Sequence, residues 1–126
     1  MAERLLIVED EDTFRESLKR VFLREGYDVD AVDSCESAFE SLECGSYDLI
    51  ITDIILPCVN GLELLRKCRE RHPNVIVIII TAYASIETAV EAMKVGAYDY
   101  LVKPIIHEQI KTLVRKALDE RSSGKI

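Results

Sequence analysis

The sequence predicts an α/β fold, a doubly wound sheet of five parallel strands with helices on both faces. Three observations carry that expectation. Short apolar runs alternate with helix-period segments five times along the 126 residues, the pattern of βα units. One run, VIVIII (Val75 to Ile80), is apolar at every position, as a strand buried on both faces requires. Four runs also end on residues able to do chemistry, and open parallel sheets bind ligands beyond their carboxyl ends. Five units are too few to close an eight-fold barrel.

Taken in order, LLIV (Leu5 to Val8) is the first strand and leads into Glu9, Asp10, Glu11 and Asp12. A helix follows from about Asp12 to just before Gly26. Its stripe Phe14, Leu18, Val21 and Phe22 has the spacing of one buried face. Asp12 is the expected cap. Tyr27 to Val32 alternates apolar and polar residues and reads as an edge strand. Asp33 and Glu36 fit a capping arrangement for a short helix carrying Ala38, Phe39 and Leu42, stopped at Gly45.

LIIT (Leu49 to Thr52) is the third strand and runs into Asp53. Pro57 and the Asn60-Gly61 pair mark a loop. The next helix carries Leu62, Leu65 and Cys68 and closes at His72-Pro73. The fourth strand delivers Thr81, and a helix with Ile86, Val90 and Met93 stops at Gly96. YLV (Tyr100 to Val102) runs into Lys103-Pro104, where the prolyl bond is a candidate for the cis form. A last helix carries Ile106, Ile110, Leu113, Val114 and Ala117. Residues 1–120 thus read as one domain, and residues 121–126 as a polar tail or the start of a linker.

Composition narrows the function. A net charge of −7 argues against nucleic acid as a direct partner. The longest apolar stretches, about six residues, are far too short to cross a bilayer. Cys35, Cys44, Cys58 and Cys68 form no CxxC pair and have no histidine at ligand spacing, so they read as reduced thiols of a cytoplasmic protein. His72 and His107 read as surface residues.

The candidate site gathers Glu9, Asp10 and Asp53 at the carboxyl edge of the sheet. Three carboxylates about 5 Å apart repel by roughly 3 kcal/mol per pair at an effective dielectric near 20. Such a cluster takes up protons or binds a cation, and hard oxygen donors with open positions suit Mg²⁺. An aspartate there can accept a phosphoryl group as an acyl phosphate. Lys103 and the Thr81 hydroxyl would meet its oxygens. Singly, each residue has a plainer reading. The acids after the first strand could serve only to cap a helix, Thr81 could bond backbone, Lys103 could be solvated, and Tyr100 could be an ordinary half-exposed aromatic. Asp53 favours the shared site, because it ends a different strand.

The segments LLIVEDED, LIITDIILPCVNGLELL, VIVIIITAY and AYDYLVKP resemble the signature segments of response-regulator receiver domains of two-component signalling, the chemotaxis-regulator-like family. The match runs from Leu5 to about Leu118. That resemblance implies a flavodoxin-like strand order 2-1-3-4-5 and phosphorylation of Asp53 by a sensor histidine kinase. It also implies Mg²⁺ on Asp10, on Glu9 through water, on Asp53 and on the backbone carbonyl of Ile55. Thr81 and Tyr100 match the family's switch pair, and Lys103 its phosphoryl-contacting lysine. The segment TAYASIETAVEAMKVGAYDYLVKP is most similar to receivers of bacterial enhancer-binding transcription activators, which implies an effector domain in the same chain or a partner protein.

Three positions depart from the common pattern. Glu9 stands where many relatives have aspartate, and Cys58 where glycine is frequent. Ile55 is apolar and cannot orient a hydrolytic water, so slow self-dephosphorylation is expected. The charged stretches Glu87 to Lys94 and Glu108 to Lys116 suit a homodimer formed on phosphorylation through the fourth helix, fifth strand and fifth helix, or simply a solvated face. A stand-alone receiver acting by protein contact is an alternative. A Mg²⁺-dependent aspartyl phosphohydrolase would want an acid where Ile55 stands. A flavin carrier would be repelled by Glu9 to Asp12.

Overall fold

The computed structural model describes residues 2–54 and 61–124. Strands β1 (Arg4–Val8), β2 (Asp28–Val32), β3 (Leu49–Asp53), β4 (Ile76–Thr81) and β5 (Asp99–Val102) alternate with helices α1 (Asp12–Arg24), α2 (Cys35–Cys44), α3 (Gly61–Arg71), α4 (Ile86–Val95) and α5 (His107–Ser122). All strand pairings are parallel, in the order β2-β1-β3-β4-β5. The chain turns back on itself between β1 and β3, and at such a switch point an open α/β sheet leaves a crevice.

The side-chain period of two splits the core into two layers. Leu5, Ile7, Leu49, Ile51, Ile78 and Ile80 pack under α1 and α5, against Leu18, Phe22, Ile110 and Val114. Leu6, Val8, Ile50, Val77 and Ile79 point the other way, onto Cys35, Ala38, Leu65, Cys68 and Ala92 of α2, α3 and α4. Residues on β1, β3 and β4 are buried on both faces, which explains their unbroken apolar runs. In register, Val8 lies beside Thr52, Asp53 beside Ile80 and Thr81 beside Val102. The polar residues that follow these strands therefore emerge at one edge.

Several local expectations shift by a residue. Glu11, not Asp12, is the N-cap of α1, and it makes no side-chain cap bond. Asp12 is already helical, and its carboxylate accepts from Arg15 at 2.6 Å, an acid in the first turn as the helix dipole favours. The cap of α2 is Ser34, whose hydroxyl accepts from the Ser37 N–H at 3.2 Å, so Asp33 and Glu36 do not form the expected pair. Tyr27 precedes β2 and packs its ring on Phe22. Ile106 is the N-cap of α5 and is exposed rather than part of the helix stripe.

At the other end, α5 continues through Ser122, so the polar stretch expected as a tail begins inside the helix. The Arg121 guanidinium there donates to the carbonyls of Asp48 and Asn74 and pairs with the Asp48 carboxylate. Cys35, Cys44 and Cys68 form no disulfide, and burial pushes the Cys68 thiol up to about 11. No helix of the described residues is long and apolar enough to cross a membrane.

Candidate functional site

Glu9 leaves the end of β1 and is fully buried, while Asp53, the last residue of β3, has a side chain only 8 % exposed. Two buried carboxylates on neighbouring strands need a counter-charge. Lys103, the first residue beyond β5, supplies it. Its ammonium donates to Glu9 Oε1 at 2.7 Å and to Asp53 Oδ2 at 2.8 Å, and its side chain is 19 % exposed. The backbone aims it, because the Lys103 N–H donates to the Thr81 carbonyl at 2.8 Å. The Lys103–Pro104 peptide is cis.

The charges tune one another. Burial raises the Glu9 carboxyl above its ordinary range, although bonds from Lys103 and from the Glu11 N–H pull the other way. Burial also opposes the Lys103 ammonium, but its bonds with Asp53 and Glu9 outweigh this and raise it. Asp10 stands exposed beside this pair. Glu9, Asp10 and Asp53 each present a carboxylate oxygen, all within 4.8 Å of one another. Three hard oxygen donors, one of them open to water, fit a small divalent cation such as Mg²⁺, which retains several waters.

Thr81 ends β4 fully buried, with its hydroxyl accepting from the Tyr83 N–H at 3.0 Å. The half-buried Tyr100 ring packs against the α2–α4 layer, and its hydroxyl shares a 2.7 Å hydrogen bond with Thr88 on α4. Both hydroxyls are thus tied to α4 or the loop before it. Ile55 and Cys58 lie outside the described residues.

Three neighbours of the site escaped the sequence reading. Phe14 was read as one member of a core stripe, yet its ring centroid lies 4.7 Å from the Lys103 ammonium. Thr88 gave no signal, being a polar helix residue among others. Gly61 was read as a turn residue. A Cβ there would lie 2.2 Å from the Asp53 carbonyl oxygen, so only glycine lets α3 start this close to the end of β3.

An acidic pocket from two adjacent strands, answered by an ammonium from a third at the switch point of a 2-1-3-4-5 sheet, defines a class of α/β domain whose crevice has the chemistry to hold a cation. The comparisons give that class its family: residues 5–115 match the response regulator receiver domain, and the chain belongs to it. It is 40 % identical over 116 residues to the response regulator protein FleR of Pseudomonas aeruginosa, covering 92 % of this chain and 24 % of the relative. It is 34 % identical over 122 residues to the regulatory protein AtoC of Escherichia coli, covering 97 % and 26 %. The chain therefore spans about a quarter of the length of these relatives.

Among solved structures, a CheY-like receiver domain protein from Methanospirillum hungatei superposes with a TM-score of 0.96 at 31 % identity, over 98 % of this chain and 99 % of that one. The beryllofluoride-activated NtrC4 receiver domain dimer superposes at 0.89 with 31 % identity, over 94 % and 98 %. The chain is a receiver domain of two-component response regulators rather than a conventional enzyme, homologous to regulators that include transcriptional ones.

Proposed function

We propose that Asp53 is the phosphoryl acceptor of a signalling switch, loaded by a sensor histidine kinase. The observation that carries this reading is the Lys103 ammonium bridging Asp53 and Glu9 with Asp10 alongside. An Asp53 carboxylate oxygen attacks the phosphorus of a phosphohistidine. The O–P bond forms, the N–P bond breaks, and the imidazole leaves with its electron pair. Glu9, Asp10 and Asp53, together with the backbone carbonyl of Ile55, would hold Mg²⁺. Bound there, the metal supplies positive charge opposite the phosphoryl oxygens. Lys103 turns from carboxylate to phosphoryl oxygen, and Thr81 donates its hydroxyl to another.

The new group adds roughly −1.5 to −2 charge beside Asp53, and only contacts that improve in one state can shift a two-state equilibrium. Drawing the Thr81 hydroxyl toward the phosphoryl group takes the acceptor away from the Tyr83 N–H. Moving the Tyr100 ring inward breaks its bond to Thr88. Both changes bear on α4. That helix, with β5 and the start of α5, presents Ile86 (84 % exposed), Val90, Met93, Val102 and Ile106 to solvent. An apolar set this exposed suits a surface covered in the active state, here by a second copy.

In this reading the domain sits in the cytoplasm, regulates transcription through an effector domain in the same chain or a partner protein, and touches neither nucleic acid nor membrane itself. Ile55, with no proton-accepting side chain, gives the acyl phosphate a long life. The test is incubation with a small acyl-phosphate donor and Mg²⁺, followed by intact mass and sedimentation. The expected result is one added phosphoryl group and a dimer, both absent in Asp53→Asn. Unmodified mass, or modification that survives in Asp53→Asn, overturns the reading.

A further inference from the structure

Of the three contacts described for the Lys103 ammonium, two go to carboxylates that a divalent cation would claim: Glu9 Oε1 at 2.7 Å and Asp53 Oδ2 at 2.8 Å. The third is the face of Phe14, 4.7 Å from ammonium to ring centroid, within the range of a cation–π contact. A small, strongly hydrated divalent cation prefers oxygen and does not compete for that face. When the carboxylates turn to the metal, the ammonium is repelled by the same charge. Its flexible four-carbon stem then allows it to swing into solvent. Among the described residues, the aromatic face is the contact that remains.

The ring is well placed for this. Phe14 lies in the first turn of α1, half-buried, and packs against the apolar layer under α1 and α5. The core therefore fixes it from behind while its face looks over the pocket. An aliphatic residue would fill the same stripe position but has no negative π face to offer.

We propose that Phe14 is a positioning residue whose ring face keeps the Lys103 ammonium beside Asp53 while a divalent cation occupies Glu9, Asp10 and Asp53. The inference rests on the proposed phosphoryl-acceptor role of Asp53 for its purpose, but its geometry can be tested apart from phosphorylation. Proton–carbon NMR of the Lys103 ε-methylene reads the contact directly, because protons above an aromatic face are shifted upfield. The spectra are taken during a Mg²⁺ titration of the wild type, Phe14→Tyr and Phe14→Leu, with Lys103→Arg to assign the signal.

The expected result is an upfield Lys103 signal that persists at saturating Mg²⁺ in the wild type and Phe14→Tyr. In Phe14→Leu it should move to the position of exposed lysines once Mg²⁺ is bound. Acyl-phosphate labelling should then slow about fivefold in Phe14→Leu, the size of a cation–π contact of ordinary strength, and change less than twofold in Phe14→Tyr. The proposal is overturned if the wild-type signal loses its upfield position on Mg²⁺ binding. Equal loss of labelling in the tyrosine and leucine variants, which would indicate packing alone, also overturns it. Failure of the wild type to label at all, with the NMR pattern as expected, would defeat the phosphoryl-acceptor reading of Asp53 and leave the placement of Lys103 standing.

Discussion

Replacing Lys103 by methionine removes a charge while keeping an unbranched chain that can still reach the Phe14 ring. Glu9 is fully buried and Asp53 nearly so, their carboxylates lie within 4.8 Å, and the Lys103 ammonium bonds both. Two like charges about 5 Å apart at an effective dielectric near 20 repel by roughly 3 kcal/mol. Removing one partner of a buried ion pair commonly costs about 3–5 kcal/mol.

Lys103→Met should therefore lose about 3 kcal/mol at neutral pH in metal-free buffer, read by urea unfolding as a midpoint lowered by about 1–3 M. Mg²⁺ should restore more stability to the variant than it adds to the wild type, because the metal then meets uncompensated carboxylates with no competing ammonium. Acidification should also narrow the gap. The Glu9 carboxyl is already raised by burial from its ordinary 4.5, and without Lys103 it rises further. A carboxyl raised in the folded state gives stability that is complete below pH 4.5 and lost as pH climbs through the folded value. The variant thus gains on the wild type as pH falls toward that limit. A loss under about 1 kcal/mol, equal Mg²⁺ stabilisation of both proteins, or a gap that widens in acid would refute the counter-charge reasoning.

Two further substitutions probe the ties around the sheet. The Asp48 carboxyl resists burial's upward pull and sits below its ordinary 3.8, because it accepts the Arg4 N–H at 2.8 Å and the Arg121 guanidinium. A depressed carboxyl stabilises above its unfolded value and loses that contribution as pH falls through the folded one. Asp48→Asn should accordingly cost about 1–2 kcal/mol at neutral pH, with the deficit closing below pH 3.8 in a series of denaturant titrations. A deficit that persists unchanged into acid would contradict this. Thr88→Val keeps the shape of Thr88 but removes the partner of the Tyr100 hydroxyl. About 1 kcal/mol of stability should go with it, and the Tyr100 ring resonances should shift. Unmoved ring resonances would show that the bond does not hold the ring.

Most of the fold was legible in the sequence because it rests on periodicity, which a single chain displays in full. The all-apolar run at β4, the alternation at β2 and the stop at Gly45 each have one physical meaning, and the five strands appear where those signals lie. What slipped was local competition between polar groups of similar quality. Asp33 and Ser34 can both cap a helix, and the choice fell to Ser34, whose hydroxyl reaches the Ser37 N–H. Ile106 fitted the spacing of the α5 stripe, yet the helix starts one residue later because Ile106 keeps an extended backbone.

The pocket was legible to a different depth. Parallel strands in register bring the residues at and after their carboxyl ends together, so the meeting of Glu9, Asp10, Asp53 and Lys103 could be read from three strand endings. Which groups pair within that meeting is another matter, since it depends on distances finer than a strand spacing. The sequence places Lys103 as a positive partner for phosphoryl oxygens, and the structure adds that its ammonium pairs directly with Glu9 and Asp53. The same cation cannot answer two carboxylates and a phosphoryl group equally well. Under the proposed function, loading Asp53 would break at least one of these bonds, and the metal-free ion pair would oppose that step until a cation took the ammonium's place. A contact such as Phe14 over Lys103 is invisible at the level of pattern, because the stripe position demands only an apolar side chain and the aromatic face serves the pocket.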